Sequence, residues 1–142
     1  MANLIHIDIV TPEKRIFEGN IKGLSAPGID GEFGVLPGHA PFATILAPGV
    51  VSMKNEDNSE ELMAVSGGYL EVTGEKIVLL VETADREGEV DVEKIKKRKE
   101  EKERLLKAKE HTDVDYDKIH AQLVHEMARL KAVRLLSRRK KV

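Results

Sequence analysis

The densest run of chemically useful residue types is residues 31–42, GEFGVLPGHAPF, where three glycines, two prolines, one carboxylate, one histidine and two phenylalanines share twelve positions. A glycine-rich loop binds phosphate when its backbone N–H groups converge on the anion ahead of a helix. That geometry needs Gly-x-x-x-x-Gly-Lys-Ser/Thr, or Gly-x-Gly-x-x-Gly between a strand and a helix. Gly28, Gly31, Gly34 and Gly38 have neither spacing, no lysine follows, and Pro37 and Pro41 remove two N–H donors. The stretch is a stiff turn rather than an anion cradle.

Other chemistries are no better served. There is no cysteine, which excludes disulfides, thiolate metal sites and a cysteine nucleophile. His120 and His125 are five residues apart and leave different faces of a helix, and HEMAR at 125–129 lacks the second histidine of a zinc-protease helix. No Gly-x-Ser-x-Gly elbow surrounds any of the serines. The expectation is a protein that is not an enzyme and has no metal site.

The most pronounced charge feature lies at the carboxy-terminal end. After Glu126 come Arg129, Lys131, Arg134, Arg138, Arg139, Lys140 and Lys141, with no acid among them. Cations in a last helical turn complement the helix dipole, which accounts for two or three of the seven. The rest call for an acidic partner. Nucleic acid fits poorly, because no aromatic side chains for stacking lie nearby and the first half of the chain is acidic. An acidic protein surface fits better.

Two architectures must position these residues. Residues 1–87 carry 6 Lys/Arg against 14 Asp/Glu, whereas residues 88–142 carry 17 against 11. All 11 glycines and all 5 prolines lie at or before Gly88. In the first part Ile5, Ile7 and Ile9 alternate with His6 and Asp8, the two-residue period of a half-buried strand. Turn signals recur at Glu18-Gly19-Asn20, Pro27-Gly28 and Pro48-Gly49, and the pairs VVSMK/ELMAV and YLEV/KIVLLVE predict hairpins. A compact two-sheet sandwich over 1–87 follows, rather than a ligand-holding barrel.

Over 88–142 breakers vanish and Lys, Glu, Arg, Leu and Ala dominate, with HTDVD at 111–115 as the interruption. The spacing predicts an antiparallel hairpin of two helices of roughly twenty and twenty-five residues. In the second helix Tyr116, Ile119, Leu123, Met127, Leu130 and Val133 form an apolar stripe, widened by Val124 and Ala128. The first has apolar residues only at its ends, around KKRKEEKER at 96–104. Its docking is expected to be weak, or else it is an exposed helix held by pairs such as Glu100 with Arg104 and Glu103 with Lys107. The first residues carry no basic run ahead of a long apolar block, and nothing approaches the ~20 apolar residues of a membrane span, so a soluble chain is expected.

GEFGVLPGHAPF, LAPGVV, SGGYLEV, DVEK and HTDVDY, taken in this order, resemble the epsilon subunit of bacterial F-type ATP synthase along essentially the whole chain. The resemblance implies a ten-stranded sandwich and a helical hairpin on the central stalk, peripheral to the cytoplasmic face of the bacterial cell membrane. Its partners would be the gamma subunit, the ring of c subunits and the alpha and beta subunits of the catalytic head, with membrane contact only through the complex and no nucleic acid. The sandwich would couple rotation, and the hairpin would swing away from it to inhibit ATP hydrolysis.

By the same resemblance Glu32 is a candidate contact to polar loops of the c ring and His39 to gamma, while Arg134, Arg138 and Arg139 would meet acidic segments of beta. Some members bind ATP through Ile/Leu-Asp-x-x-Arg-Ala. Here Asp91 survives, but Lys94 replaces the arginine and Ile95 the alanine, so weak ATP binding or none is expected and no cofactor is assigned. Asp91 would then serve as a helix N-cap. The alternative is a free-standing regulatory or nucleic-acid-binding module that acts through its basic second helix.

Overall fold

The computed structural model describes residues 3–110 and 113–140. Nine strands come first: β1 (Ile5–Val10), β2 (Arg15–Gly28), β3 (Gly31–Val35), β4 (Phe42–Leu46), β5 (Gly49–Asn55), β6 (Glu60–Val65), β7 (Gly68–Thr73), β8 (Lys76–Val81) and β9 (Ala84–Arg86). Two helices follow, α1 (Val92–Lys107) and α2 (Tyr116–Lys140). The expected sandwich of about ten strands is present, with nine strands among the described residues. Glu18-Gly19-Asn20 is not a turn, because β2 runs through it with Gly19 opposite Ile7 of β1. Cross-strand pairing overrides the local turn preference there.

β2 joins the two layers of the sandwich. Its Arg15–Ile21 stretch pairs with β1, Ile21–Ser25 with β5, and Leu24–Gly28 with β3. One layer runs β1-β8-β7-β4 and the other β2-β5-β6-β9, with β3 against β2. β1 and β8 are parallel, and the predicted hairpins β5–β6 and β7–β8 are antiparallel. Ile5, Ile7 and Ile9 point inward and meet Met53, Leu70 and Leu79 in a filled interior. Each such burial contributes roughly 1.5–3 kcal/mol. Asp8, on the outer side of β1, is covered by Arg15, whose guanidinium donates to both carboxylate oxygens at 2.9 and 3.2 Å.

The helices pack in series on the head. α2 lies against β5 and β6, and α1 packs on α2. A second cluster forms where Val50 and Ala64 of the sheet meet Ile95, Leu130, Ala132, Val133 and Leu136. Ile95 is the one buried residue of α1, so the helix predicted to be thinly apolar is held mainly through α2. Its ion pairs are Glu93 with Lys96 and Lys99 with Glu103, not the pairs expected from Glu100 and from Glu103 toward Lys107.

The apolar stripe of α2 also needs correction. Val124 and Met127 are half exposed, at 50% and 49%, while Ala132 and Leu136 are buried. α2 has to satisfy α1 on one flank and the sheet on another, which turns its buried arc away from a single 3.6-residue stripe. Of the inter-helix segment, His111 and Thr112 lie outside the described residues, and the Asp113 carboxylate accepts from the Asp115 N–H at 2.9 Å.

Candidate functional site

Residues 31–42 form β3 and the bend into β4. Glu32 is exposed on β3, with Ser25 Oγ donating to its Oε1 at 2.6 Å. His39 follows Gly38, whose φ of +85° suits glycine, and its Nδ1 lies 2.7 Å from the Ala40 carbonyl oxygen. The His39 ring sits 5.8 Å from Phe42, which meets Phe33 edge-on at 5.3 Å. Phe33 turns into the core, so its neighbour Glu32 faces the other way. The two candidate contacts, Glu32 and His39, therefore do not form one cluster: one is tied to Ser25 of β2, the other to the aromatic pair.

Across the outer layer runs a feature that sequence reasoning missed. Ile45 of β4 pairs with Tyr69 of β7, Tyr69 with Leu80 of β8, and Leu80 with Val10 of β1. Directly opposed residues share a face, so this is one apolar row across four strands. Ile45, Tyr69 and Leu80 are 57%, 37% and 49% exposed. At about 4.8 Å per strand the row is roughly 15 Å long. Ile29, also exposed, is joined to the same strand through its backbone, its N–H donating to the Ile45 carbonyl at 3.0 Å. At the other end a surface cavity of about 320 Å³ is lined by Val10, Pro12, Leu80 and Val81. Gly68 lets β7 begin tight against β8, since a Cβ there would collide with the Leu80 carbonyl oxygen.

Loss of water around the Tyr69 phenol raises its pKa above the ordinary value, helped by the charge of Glu71, to which it donates at 3.2 Å. A signal for the row was present in the sequence. Ile45-Leu46 and Leu79-Leu80 are adjacent apolar pairs, and in a strand only one of each pair can point inward.

On α2 the structure separates the cations by role. Arg129 Nε and Nη2 donate to the two Asp85 carboxylate oxygens at 2.8 and 2.7 Å, tying α2 to β9. Hydrogen bonding to Asp85 raises the Arg129 pKa against the opposing effect of burial. Arg129 thus already has its acid inside the chain, 44 positions away. Arg134 and Arg138 line a groove of about 300 Å³ with Lys99 of α1, Lys131 and an apolar floor. Arg139 is exposed but does not line that groove. The Lys140 side chain and Lys141 lie outside the described residues.

The altered nucleotide motif sits at the start of α1. Asp91 accepts from the backbone N–H groups of Glu93 and Lys94 at 3.1 and 3.3 Å, so the carboxylate is engaged as an N-cap. Lys94 is exposed. A wider cavity of about 910 Å³ between the helices and the end of β8 is lined by Arg98, Lys102, Lys118 and His125 together with Glu82, Glu101 and Glu126, and neither Asp91 nor Lys94 borders it.

Known proteins share this arrangement. Residues 4–87 match the beta-sandwich domain of the ATP synthase delta/epsilon chain. The ATP synthase epsilon chain of Moorella thermoacetica is 40% identical over 132 residues, covering 93% of this chain and 97% of that relative. The fold is also similar to a chain in the structure of Euglena gracilis mitochondrial ATP synthase, OSCP/F1/c-ring in rotational state 1, with a TM-score of 0.66 at 22% identity over 95% of this chain and 80% of that one. With its sandwich matched and a bacterial epsilon chain aligned over nearly its full length, the chain belongs to the ATP synthase delta/epsilon chain family.

Proposed function

We propose that the chain is a non-catalytic central-stalk subunit that couples rotation between the c ring and the catalytic head and restrains ATP hydrolysis through its helices. The carrying observation is the exposed apolar row Ile45–Tyr69–Leu80 on a rigid sheet. A row of this kind suits a surface buried against a partner, here gamma, because central apolar and aromatic anchors dominate interface energy. Residues 1–87 do the gripping, with Glu32 toward the c ring and His39 toward gamma. Residues 88–142 regulate, with Arg134, Arg138 and Arg139 meeting acidic segments of beta. The subunit sits peripherally at the cytoplasmic face of the bacterial membrane, and none of its described helices is long and apolar enough to cross. ATP is bound weakly or not at all.

Copurification with gamma tests the head. Ile45→Glu combined with Leu80→Glu is expected to weaken the complex by at least about a hundredfold, with the thermal unfolding midpoint of the free subunit little changed. Undiminished binding overturns the docking surface. For the hairpin, deletion of 112–142, or Arg134, Arg138 and Arg139 together replaced by alanine, relieves inhibition in a reconstituted complex while assembly persists. Unchanged hydrolysis overturns the regulatory half. Under the nucleic-acid alternative, binding would instead fall steeply with salt.

A further inference from the structure

Resting on the view that the hairpin can leave the head, we propose that His125 makes its docking sensitive to pH, so that acidification holds the hairpin on the head and rising pH loosens it. His125 and Arg129 are four positions apart on α2 and so share one face. Each meets a carboxylate at the β8–β9 corner of the head. His125 Nδ1 lies 3.8 Å from Glu82 Oε2, and Arg129 holds Asp85 through its paired hydrogen bonds. The Glu82 N–H donates to the Gly67 carbonyl at 3.2 Å, which joins this corner to the turn before β7. Two rungs therefore close the same contact, and they differ in kind. Arginine stays charged throughout, whereas histidine changes charge between about pH 5 and 8.

The sign depends on which charges His125 gains when α2 docks. Arg98, Glu101 and Lys102 of α1 and Lys118 and Glu126 of α2 line the same cavity, and Arg129 lies one turn further along α2. All of these belong to the hairpin and accompany His125 when a closed hairpin lifts off. From the head, Glu82 is the one charged residue lining that cavity among the described residues. The adjoining cavity brings Glu13 and Asp85 of the head and Glu89 of the linker against Lys14 and Arg86. Of these two cations, Arg86 is engaged with Glu61 at 3.5 Å and with the Ile16 carbonyl at 3.0 Å. Docking thus brings net negative charge toward the imidazole, which favours its cationic form. By linkage, the rung contributes fully below the ordinary histidine range and its contribution is lost as pH rises through that range. The two side chains are 34% and 64% exposed, so the rung biases a two-state equilibrium and does not lock it.

The test is hydrogen exchange of the full-length chain, with α2 amides referred to their unstructured exchange rates at each pH and to the amides of β7 and β8 for global stability. Between about pH 5.5 and about pH 8 the protection of α2 is expected to fall about threefold in the parent. In His125→Gln and in Glu82→Gln it is expected to change by less than about 1.5-fold. His125→Lys, whose charge does not titrate in this range, is expected to keep at the upper pH the protection that the parent shows at the lower. Protection that stays flat or rises with pH in the parent, a full pH dependence in His125→Gln or Glu82→Gln, or a His125→Lys variant that follows the parent's fall each overturns the histidine rung. The readout is docking in the isolated subunit and so is separate from hydrolysis. A flat profile together with relief of inhibition by the triple alanine variant removes the rung and leaves the regulatory reading standing.

Discussion

Asp85 and Arg129 show how one residue pair can hold an element in place. Asp85 is buried and Arg129 largely so, and their two hydrogen bonds close a contact between β9 and α2. Removing one partner leaves the other charge poorly solvated, which costs more than the pair gains by forming. Asp85→Asn is expected to cost about 3 kcal/mol of α2 docking, read as faster hydrogen exchange of α2 amides. The exchanged pair, Asp85→Arg with Arg129→Asp, should recover part of that loss. Arg134, Arg138 and Arg139 carry no comparable penalty, because they are exposed.

Among the elements, α2 rather than α1 decides whether the hairpin stays on the head. Its Val133 and Leu136 enter the cluster with Val50 and Ala64, whereas Val124 and Met127 face outward. Leu136→Ala is expected to destabilise docking by about 2–5 kcal/mol. Met127→Ser should change it by no more than about 0.5 kcal/mol; thermal unfolding of both variants separates the two faces. The β5–β6 turn offers a pH-dependent counterpart. Hydrogen bonds from the Ser59 hydroxyl and N–H lower the Asp57 pKa below the ordinary carboxylate value. A depressed carboxylate pKa contributes stability above the unfolded value of about 3.9 and loses it as pH falls through the folded value. Asp57→Asn should therefore be less stable than the parent at neutral pH, with the difference closing on acidification, measured by urea unfolding across pH.

For the whole molecule, a sandwich and a serially attached hairpin are the two parts to which the proposed gripping and regulatory roles are assigned. The head presents its apolar row on strands tied through β2, while the helices join it by one cluster and by the Arg129–Asp85 pair together with the longer His125–Glu82 contact at 3.8 Å. The proposed function would use that difference in attachment, the head held on a partner and the hairpin free to respond. The nucleotide question belongs at this scale too. With Asp91 occupied as a cap and Lys94 in place of a guanidinium fork, calorimetric titration of the isolated subunit with ATP should show no binding tighter than about millimolar. A micromolar dissociation constant would show that the altered motif still works.

Much of this fold was legible locally. The alternation of Ile5, Ile7 and Ile9, the β5–β6 and β7–β8 hairpins, the cap at Asp91 and the breaker-free helices depend on neighbours within a few positions, and the sequence by itself determined them. So did the split between an acidic strand-rich part and a basic helical one. Only the tertiary structure decided that β2 passes through Glu18-Gly19-Asn20, that Ile45, Tyr69 and Leu80 line up, that Arg129 is already paired, and that Arg139 leaves the groove of Arg134 and Arg138. Each of these depends on strand register or helix rotation between segments distant in the chain. Residue types and spacings state which side chains can meet; the packing that buries the most apolar surface selects which do.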